Sequence, residues 1–473
     1  MTTSLARPLP TAATAGPRRR GLLPVLLAAT FMTSLDFFIV NVAIPSLQTE
    51  LRAGPSAVQW VVAGFGLALA AGLVLAGRLG DRFGRRNAFA LGTALFTLAS
   101  AGCGLAQSAG VLIAARVLQG LGAALTGPQV LAILRTGFTG PAQAKAFGAY
   151  AMTMGVGAVL GQLIGGLLIQ ANLFGLGWRT VFLINLPIGL AVLALVRRCV
   201  PESRAPGRGG LDLPGTVLVT TAVTALVLPL IQGRAQGWPL WTWACLIGSA
   251  ALLAVFGLHQ TRLATDPVVD PRLFRDRGFT LGAAAQLVFF LGQASFFLVL
   301  AVYLQQGRGL SALGSGLLFV SIGAGYLASS TVAPRLSERL GRQAIALGAL
   351  VLAAGLGLLA GTAGQLGQGD SSWWLAPGLF VDGLGMGLVM GPLTTRVLAA
   401  VRPELAGSAA GVVSTLQQVG NALGVALLGN LFYGALPHGF AGAFAGSMLV
   451  LVALEVALAL LVQALPKGGG RRG

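Results

Sequence analysis

Apolar stretches of about 20 residues recur along nearly the whole of this 473-residue chain, separated by short pieces that hold most of the charge. A run of that length is what an α-helix needs to cross a hydrocarbon layer of about 30 Å. With 55% hydrophobic residues, 9% charged residues and a mean hydropathy of +0.82, the chain has little left from which to build a water-soluble domain. Backbone polar groups in a bilayer must be paired internally, and these runs are too long and too uniformly apolar for alternating barrel strands. The expected fold class is therefore all-α, a polytopic membrane protein of about 14 transmembrane helices. The runs predict helices over approximately 22–45, 57–77, 87–107, 110–134, 145–170, 178–197, 213–231, 239–259, 279–303, 312–333, 343–363, 373–395, 407–432 and 441–465. The first run follows Arg18, Arg19 and Arg20, as in a signal peptide. It is long, contains Asp36 and lacks a small-residue cleavage site, so it reads as a retained helix.

The connecting pieces set the orientation. Alternate connections hold 26 of the 31 Lys and Arg, against four on the other side and Arg116 within a helix. The positive-inside rule then puts both termini in the cytoplasm of a cell with the chain in its inner membrane. It also accounts for the net charge of +18, which is spread over eight short pieces where anionic lipid is the natural partner; nucleic acid is not expected. Cys103, Cys199 and Cys245 are odd in number and irregularly spaced, so no disulfide framework is indicated. The Pro-, Gly- and Arg-rich tails, 1–20 and 467–473, are expected to be disordered and cytoplasmic.

An internal repeat is legible. GRLGDRFGRR at 77–86 matches PRLSERLGRQ at 334–343, aligning Arg78 with Arg335, Asp81 with Glu338, Gly84 with Gly341 and Arg85 with Arg342. DFFIV at 36–40 echoes SFFLV at 295–299, and QGLGAALTGP at 119–128 echoes DGLGMGLVMGP at 382–392. Such duplication is common in transporters. Helices 1–6 thus correspond to helices 9–14, with helices 7 and 8 inserted. The expected division is a six-helix bundle over 21–200, linkers and inserted helices over 201–270, and a second bundle over 271–466.

GRLGDRFGRR resembles the loop signature of the major facilitator superfamily. LIAARVLQGLGAAL at 112–125, LDFFIVNVAIP, QWVVAGFGLA, WRTVFLINLPIG and GSAAGVVSTLQQVGNALGVALLG resemble its fourteen-helix drug:proton antiporter branch. The resemblance covers about residues 21 to 465. It implies two bundles around a central cavity that opens alternately to either side, lined by helices 1, 4, 9 and 12. It implies, too, that Gly77, Asp81, Arg82, Gly84 and Arg85 form a latch favouring one state; topology-setting charge alone is the simpler alternative. One departure stands out: the branch's helix 5 signature has proline where this chain has Gln162. The Gly157, Gly161, Gly165 ridge is retained and should allow close helix packing.

Four ionisable residues lie well inside helices: Asp36, Arg116, Asp382 and Glu455. At about 1.5 Å per residue, Asp36 lies roughly 21 Å from the cytoplasmic end of helix 1, with Arg116 roughly 9 Å and Asp382 roughly 13 Å below the outer face. The three share a layer, where isolated charges are costly and seek partners. Asp36 beside Arg116 is either a proton-coupling pair, separated during alternation, or a static ion pair. Asp382 reads as a second protonation site, a counter-charge for cationic substrates or a structural group, and Glu455, on a peripheral helix, as structural or lipid-related. Gln162, Asn41 and Gln119 are polar cavity liners. Phe37 and Phe296, with Phe38, Phe289, Phe290 and Phe297, are candidates for an apolar binding surface. Trp60 and Trp178 read as interfacial anchors.

An ATP-driven pump is disfavoured, since neither Lys145 nor Lys467 sits in a phosphate-binding loop. An embedded enzyme would need a ligand cluster, yet the two histidines, His259 and His438, stand near helix ends. The expectation is a secondary transporter exporting amphipathic or lipophilic compounds in exchange for protons, with no cofactor and the proton gradient as energy source. The alternative is a facilitator or proton symporter for an endogenous metabolite.

Overall fold

A computed structural model describes residues 21–203, 212–263, 267, 269–367, 369–402 and 405–466; the two tails and the side chains of Arg78 and Asp81 lie outside the described residues. Fourteen helices among the described residues are long and apolar enough to span a membrane. They are α1 (Leu22–Leu51), α2 (Pro55–Phe83), α3 (Arg85–Gly104), α4 (Ala109–Gly137), α5 (Gly140–Ala171), α6 (Gly177–Cys199) and α7 (Leu213–Gln232). The rest are α8 (Leu240–Leu258), α9 (Arg277–Val302), α10 (Ala312–Leu340), α11 (Arg342–Gln365), α12 (Ala376–Ala399), α13 (Ala406–Ala435) and α14 (Phe440–Gln463).

The packing follows the repeat. α1 lies on α5 and α6, α2 on α4, and α3 on α4 and α6; α9 lies likewise on α13 and α14, α10 on α12, and α11 on α12 and α14. The halves meet through α2 against α13 and α5 against α10, while α7 and α8 pair and α7 rests on the outside of the α2–α13 seam. Within each half the GLG of the repeat lets backbones touch. A Cβ on Gly120 would fall 2.4 Å from the Phe65 carbonyl oxygen, and one on Gly122 would fall 2.5 Å from the Phe96 nitrogen. At the equivalent positions, a Cβ on Gly383 would lie 2.1 Å from the Ile322 carbonyl oxygen and one on Gly385 would lie 2.5 Å from the Leu352 nitrogen. The Gly157, Gly161, Gly165 ridge of α5 faces α1, where added Cβ atoms would press on Ser34, Leu35 and Val42.

Two expectations are corrected. GRLGDRF, read as a loop, is the last two turns of α2, and the break comes only at Gly84, whose φ of +101° ends the helix. The repeat copy behaves alike, α10 running through Pro334 to Leu340 before Gly341 at φ +57°. Helix 6 is not continuous either: a 3₁₀ turn at Gly177–Arg179 leads into Thr180–Leu183, and the main helix restarts at Asn185.

The contacts between halves that can be placed along the helices cluster at the ends away from the chain termini. Gln305 Nε2 donates to the Val42 carbonyl at 3.0 Å and Gln306 Nε2 to Gln48 Oε1 at 2.9 Å. A Cβ on Gly166 would meet the Ala312 carbonyl oxygen at 2.6 Å. On the terminus side, by contrast, a cavity separates the halves, lined by Thr30, Gly127, Val130 and Tyr150 of the first and by Ser414 and Gln417 of the second.

Candidate functional site

Asp36, the one charge in the interior of α1, whose far end carries Glu50, is completely buried. Its Oδ2 accepts from Arg116 Nη1 at 2.6 Å, and its Oδ1 accepts from Gln119 Nε2 at 2.8 Å and from Asn185 Nδ2 at 2.7 Å. Arg116 and Gln119 are one helical turn apart on α4, so both side chains point the same way. Asn185 arrives from α6 at the point where that helix restarts, and Ser100 on α3 closes the ring by accepting from Gln119 at 3.0 Å and Asn185 at 2.9 Å. Arg116 is 1% exposed; it also donates through Nε to the Val61 carbonyl at 3.2 Å, and its guanidinium lies 4.2 Å from the centre of the Phe65 ring. The carboxylate thus has an opposite charge and three donors, the conditions under which a buried charge is tolerated. Asn185 and Ser100 carry no charge or motif that singles them out in the sequence; Asn185 lies in the WRTVFLINLPIG segment, which was the one available signal.

Between the halves lies a cavity of about 250 Å³ lined by α1, α2, α4, α5, α9, α12 and α13, adjoined by chambers of about 80 and 30 Å³ that share Phe38 and Met390 with it. α1 lines it with Thr30, Thr33, Ser34, Phe37, Phe38 and Asn41, and α13 with Ser414, Gln417, Gln418 and Asn421. Both sets have the i, i+3, i+4, i+7 spacing of a single helix face. Phe65 belongs to both places, one of the cavity walls and the ring beneath Arg116.

Of the sequence candidates, Phe37, Asn41 and Gln162 line this space. Gln119 does not: it lies in the Asp36 ring. Phe296 is packed behind its neighbour Phe297, which lines the space instead, with ring centres 5.7 Å apart. Asp382 is not a cavity residue. It is 3% exposed inside the second half and lines none of these three spaces. Glu455, expected at the periphery, is 2% exposed, with its Oε2 lacking a partner, and faces Gly292 of α9. Trp178 is no interfacial anchor: it is buried and donates to Glu50 at 2.6 Å, while Arg179 also pairs with Glu50.

Of the latch candidates, Gly77 and Asp81 lie in the last turns of α2, Arg82 is exposed, and Gly84 and Arg85 form the break before α3. The Arg85 amide donates to the Ser203 carbonyl at 3.0 Å and the Arg86 amide to Glu202 at 3.1 Å, tying this junction to the segment after α6. The second half repeats the arrangement, with Arg342 donating to the Leu465 carbonyl and Arg396 to the Pro466 carbonyl after α14.

Residues 26–425 match the family described as Major Facilitator Superfamily. The chain is 41% identical over 442 residues to a probable actinorhodin transporter of Streptomyces coelicolor, covering 91% of this chain and 76% of that protein. It is 38% identical, over 91% of this chain and 85% of the relative, to puromycin resistance protein pur8 of Streptomyces alboniger. Its fold matches that of an auto-inhibited POT family peptide transporter with a TM-score of 0.70 at 17% identity, over 93% of this chain and 96% of that one. The match across most of the chain, the duplicated halves and the cavity between them make this a multi-pass membrane transporter, and the chain belongs to the major facilitator superfamily.

Proposed function

We propose that the protein exports amphipathic or lipophilic compounds from the cytoplasm in exchange for protons, sitting in the cytoplasmic membrane with both termini inside. The observation that carries this reading is that α1 serves two sites at once: one face lines the cavity and another places Asp36 in a closed ring of donors. With the terminus side cytoplasmic, the conformation described is closed outward and open inward, the state that loads a substrate for export. Asp36 and Arg116 belong to the same half, so their separation takes a shift of α1 against α4 within that half as the halves rock; it would leave a carboxylate without its counter-charge, and a proton taken up from outside would relieve that cost. The transmembrane proton gradient supplies the energy and no bound cofactor is required. The α2–α3 junction from Gly77 to Arg85 acts as a latch for the opposite conformation, and membrane lipids surround the outer helices. The names of the relatives, a probable antibiotic transporter and a drug-resistance protein, support export over import.

Everted membrane vesicles from cells making the protein provide the test. With an acid lumen imposed, neutral or cationic fluorescent lipophiles from a small panel should accumulate inside and leave when a protonophore is added. Accumulation indifferent to the protonophore, or no movement of any compound, would overturn the proposal.

A further inference from the structure

The cavity says more about its ligand than that it is apolar. None of the residues lining the main cavity or its two adjoining chambers is Asp, Glu, Lys, Arg or His. Three amide side chains in these walls are more than nine-tenths buried and have a carbonyl oxygen without a partner: Asn41, Gln162 and Asn421. Which end of each amide is free is fixed by what the other end touches. Asn41 Nδ2 and Gln162 Nε2 both donate to the Phe38 carbonyl, at 3.1 and 2.9 Å, and Asn421 Nδ2 donates to Gln418 Oε1 at 3.0 Å. Flipping Asn41 or Gln162 would set its oxygen against the Phe38 carbonyl oxygen, so in these two the oxygen is the free end; at Asn421 the pairing with Gln418 occupies one end of the amide and leaves the other to the cavity. Buried acceptors without donors are costly, and a ligand that supplies the donors recovers that cost on binding. Phe37, Phe38, Phe290 and Phe297 line the chamber with Asn41 and Asn421, and Phe38 and Phe297 line the one with Gln162.

We infer that the cavity selects uncharged aromatic amphiphiles that carry hydrogen-bond donors, hydroxyl or N–H groups on a flat apolar body, rather than lipophilic cations. An ammonium could also donate to these oxygens, but its charge would enter a low-dielectric space whose walls hold no carboxylate. The inference rests on the reading of this space as the transport site.

The test uses the purified full-length protein in detergent, without any gradient, and three probes: 2,6-dihydroxynaphthalene, 2,6-dimethoxynaphthalene and tetraphenylphosphonium. A merely apolar cavity favours the dimethoxy compound, which is the more lipophilic; donor recognition reverses the order. The dihydroxy probe should bind about tenfold or more tightly than the dimethoxy probe, and tetraphenylphosphonium should not displace it. Asn421→Leu and Asn41→Leu should each weaken the dihydroxy probe several-fold and leave the dimethoxy probe unchanged. Equal or tighter binding of the dimethoxy probe, displacement by the cation, or no binding of the dihydroxy probe would overturn the inference. Since no proton gradient is involved, binding in this order without gradient-driven transport would sink the export reading alone. Proton-driven export of the cation in vesicles, with no preference for donors, would sink this inference alone.

Discussion

Each half of the molecule buries acidic side chains, and the two halves treat them differently. In the first half Asp36 is ringed by Arg116, Gln119 and Asn185, so that charge and hydrogen bonding are both satisfied. In the second half the position that echoes Asp36 is Ser295, whose hydroxyl merely donates back to its own helix, and the acids sit instead at Asp382 and Glu455. Asp382 occupies the place of Gln119 in the repeat, and among the described residues neither acid accepts a hydrogen bond or faces a cation. The same helical frame therefore holds a charge cluster on one side and two uncompensated carboxyl groups on the other. The architecture does not demand the Asp36–Arg116 pair, since the second half keeps the same packing with Ser295 in that place.

That contrast can be broken in several ways. Removing Arg116 alone, as Arg116→Met, should destabilise the protein by about 3–5 kcal/mol, because Asp36 is left buried without a counter-charge. The double variant with Asp36→Asn should recover much of that loss in thermal unfolding of the purified protein. Asp382→Asn, by contrast, breaks no ion pair and replaces a buried carboxyl that has no counter-charge with a neutral amide of the same size, so its midpoint should stay within about 1 kcal/mol of the parent or rise. If Arg116→Met and Asp382→Asn cost the same, the two halves do not differ as described. Placing an acid on the second half at the position of Asp36, Ser295→Asp, should cost about 2–3 kcal/mol, since no arginine waits for it. At the edge of the first half Glu50→Gln should cost about 1 kcal/mol, by weakening its bonds to Trp178 and Arg179.

A smaller effect concerns Asp212, which belongs to neither bundle and caps α7. Burial pushes its carboxyl up, but bonds from His259 and Gln260, both at 2.7 Å, outweigh this and hold it below the usual carboxylate range. A depressed value means that the group stabilises the fold at neutral pH and that the contribution is lost as pH falls below about 3.8. Asp212→Asn should therefore narrow the difference in thermal midpoint between pH 7 and pH 3, by an amount worth under about 1 kcal/mol.

The spans, the repeat and the shared layer of Asp36 and Arg116 were legible, because hydropathy and rise per residue are one-dimensional quantities. What depth does not give is direction around the helix, and at about 100° per residue one position decides the outcome. Phe297 faces the cavity where Phe296 does not, and Asp382 is buried without lining the ligand space. Asn185 and Ser100 were not legible, because a lone Asn or Ser on a membrane helix does not tell which neighbour it faces, and a Ser hydroxyl can bond back to its own helix. GRLGDRF looked like a loop because its charges suggested water, yet charged residues in the last turns of a helix that protrudes from the membrane are equally well solvated.

The central claim is that Asp36 changes protonation during transport. Purified protein in proteoliposomes under an imposed pH gradient, compared with Asp36→Asn, tests it most directly. The account predicts that the variant, inserted and folded, loses uphill accumulation of substrate to the level of empty liposomes while still exchanging substrate down its own gradient. Undiminished gradient-driven accumulation by Asp36→Asn would contradict it.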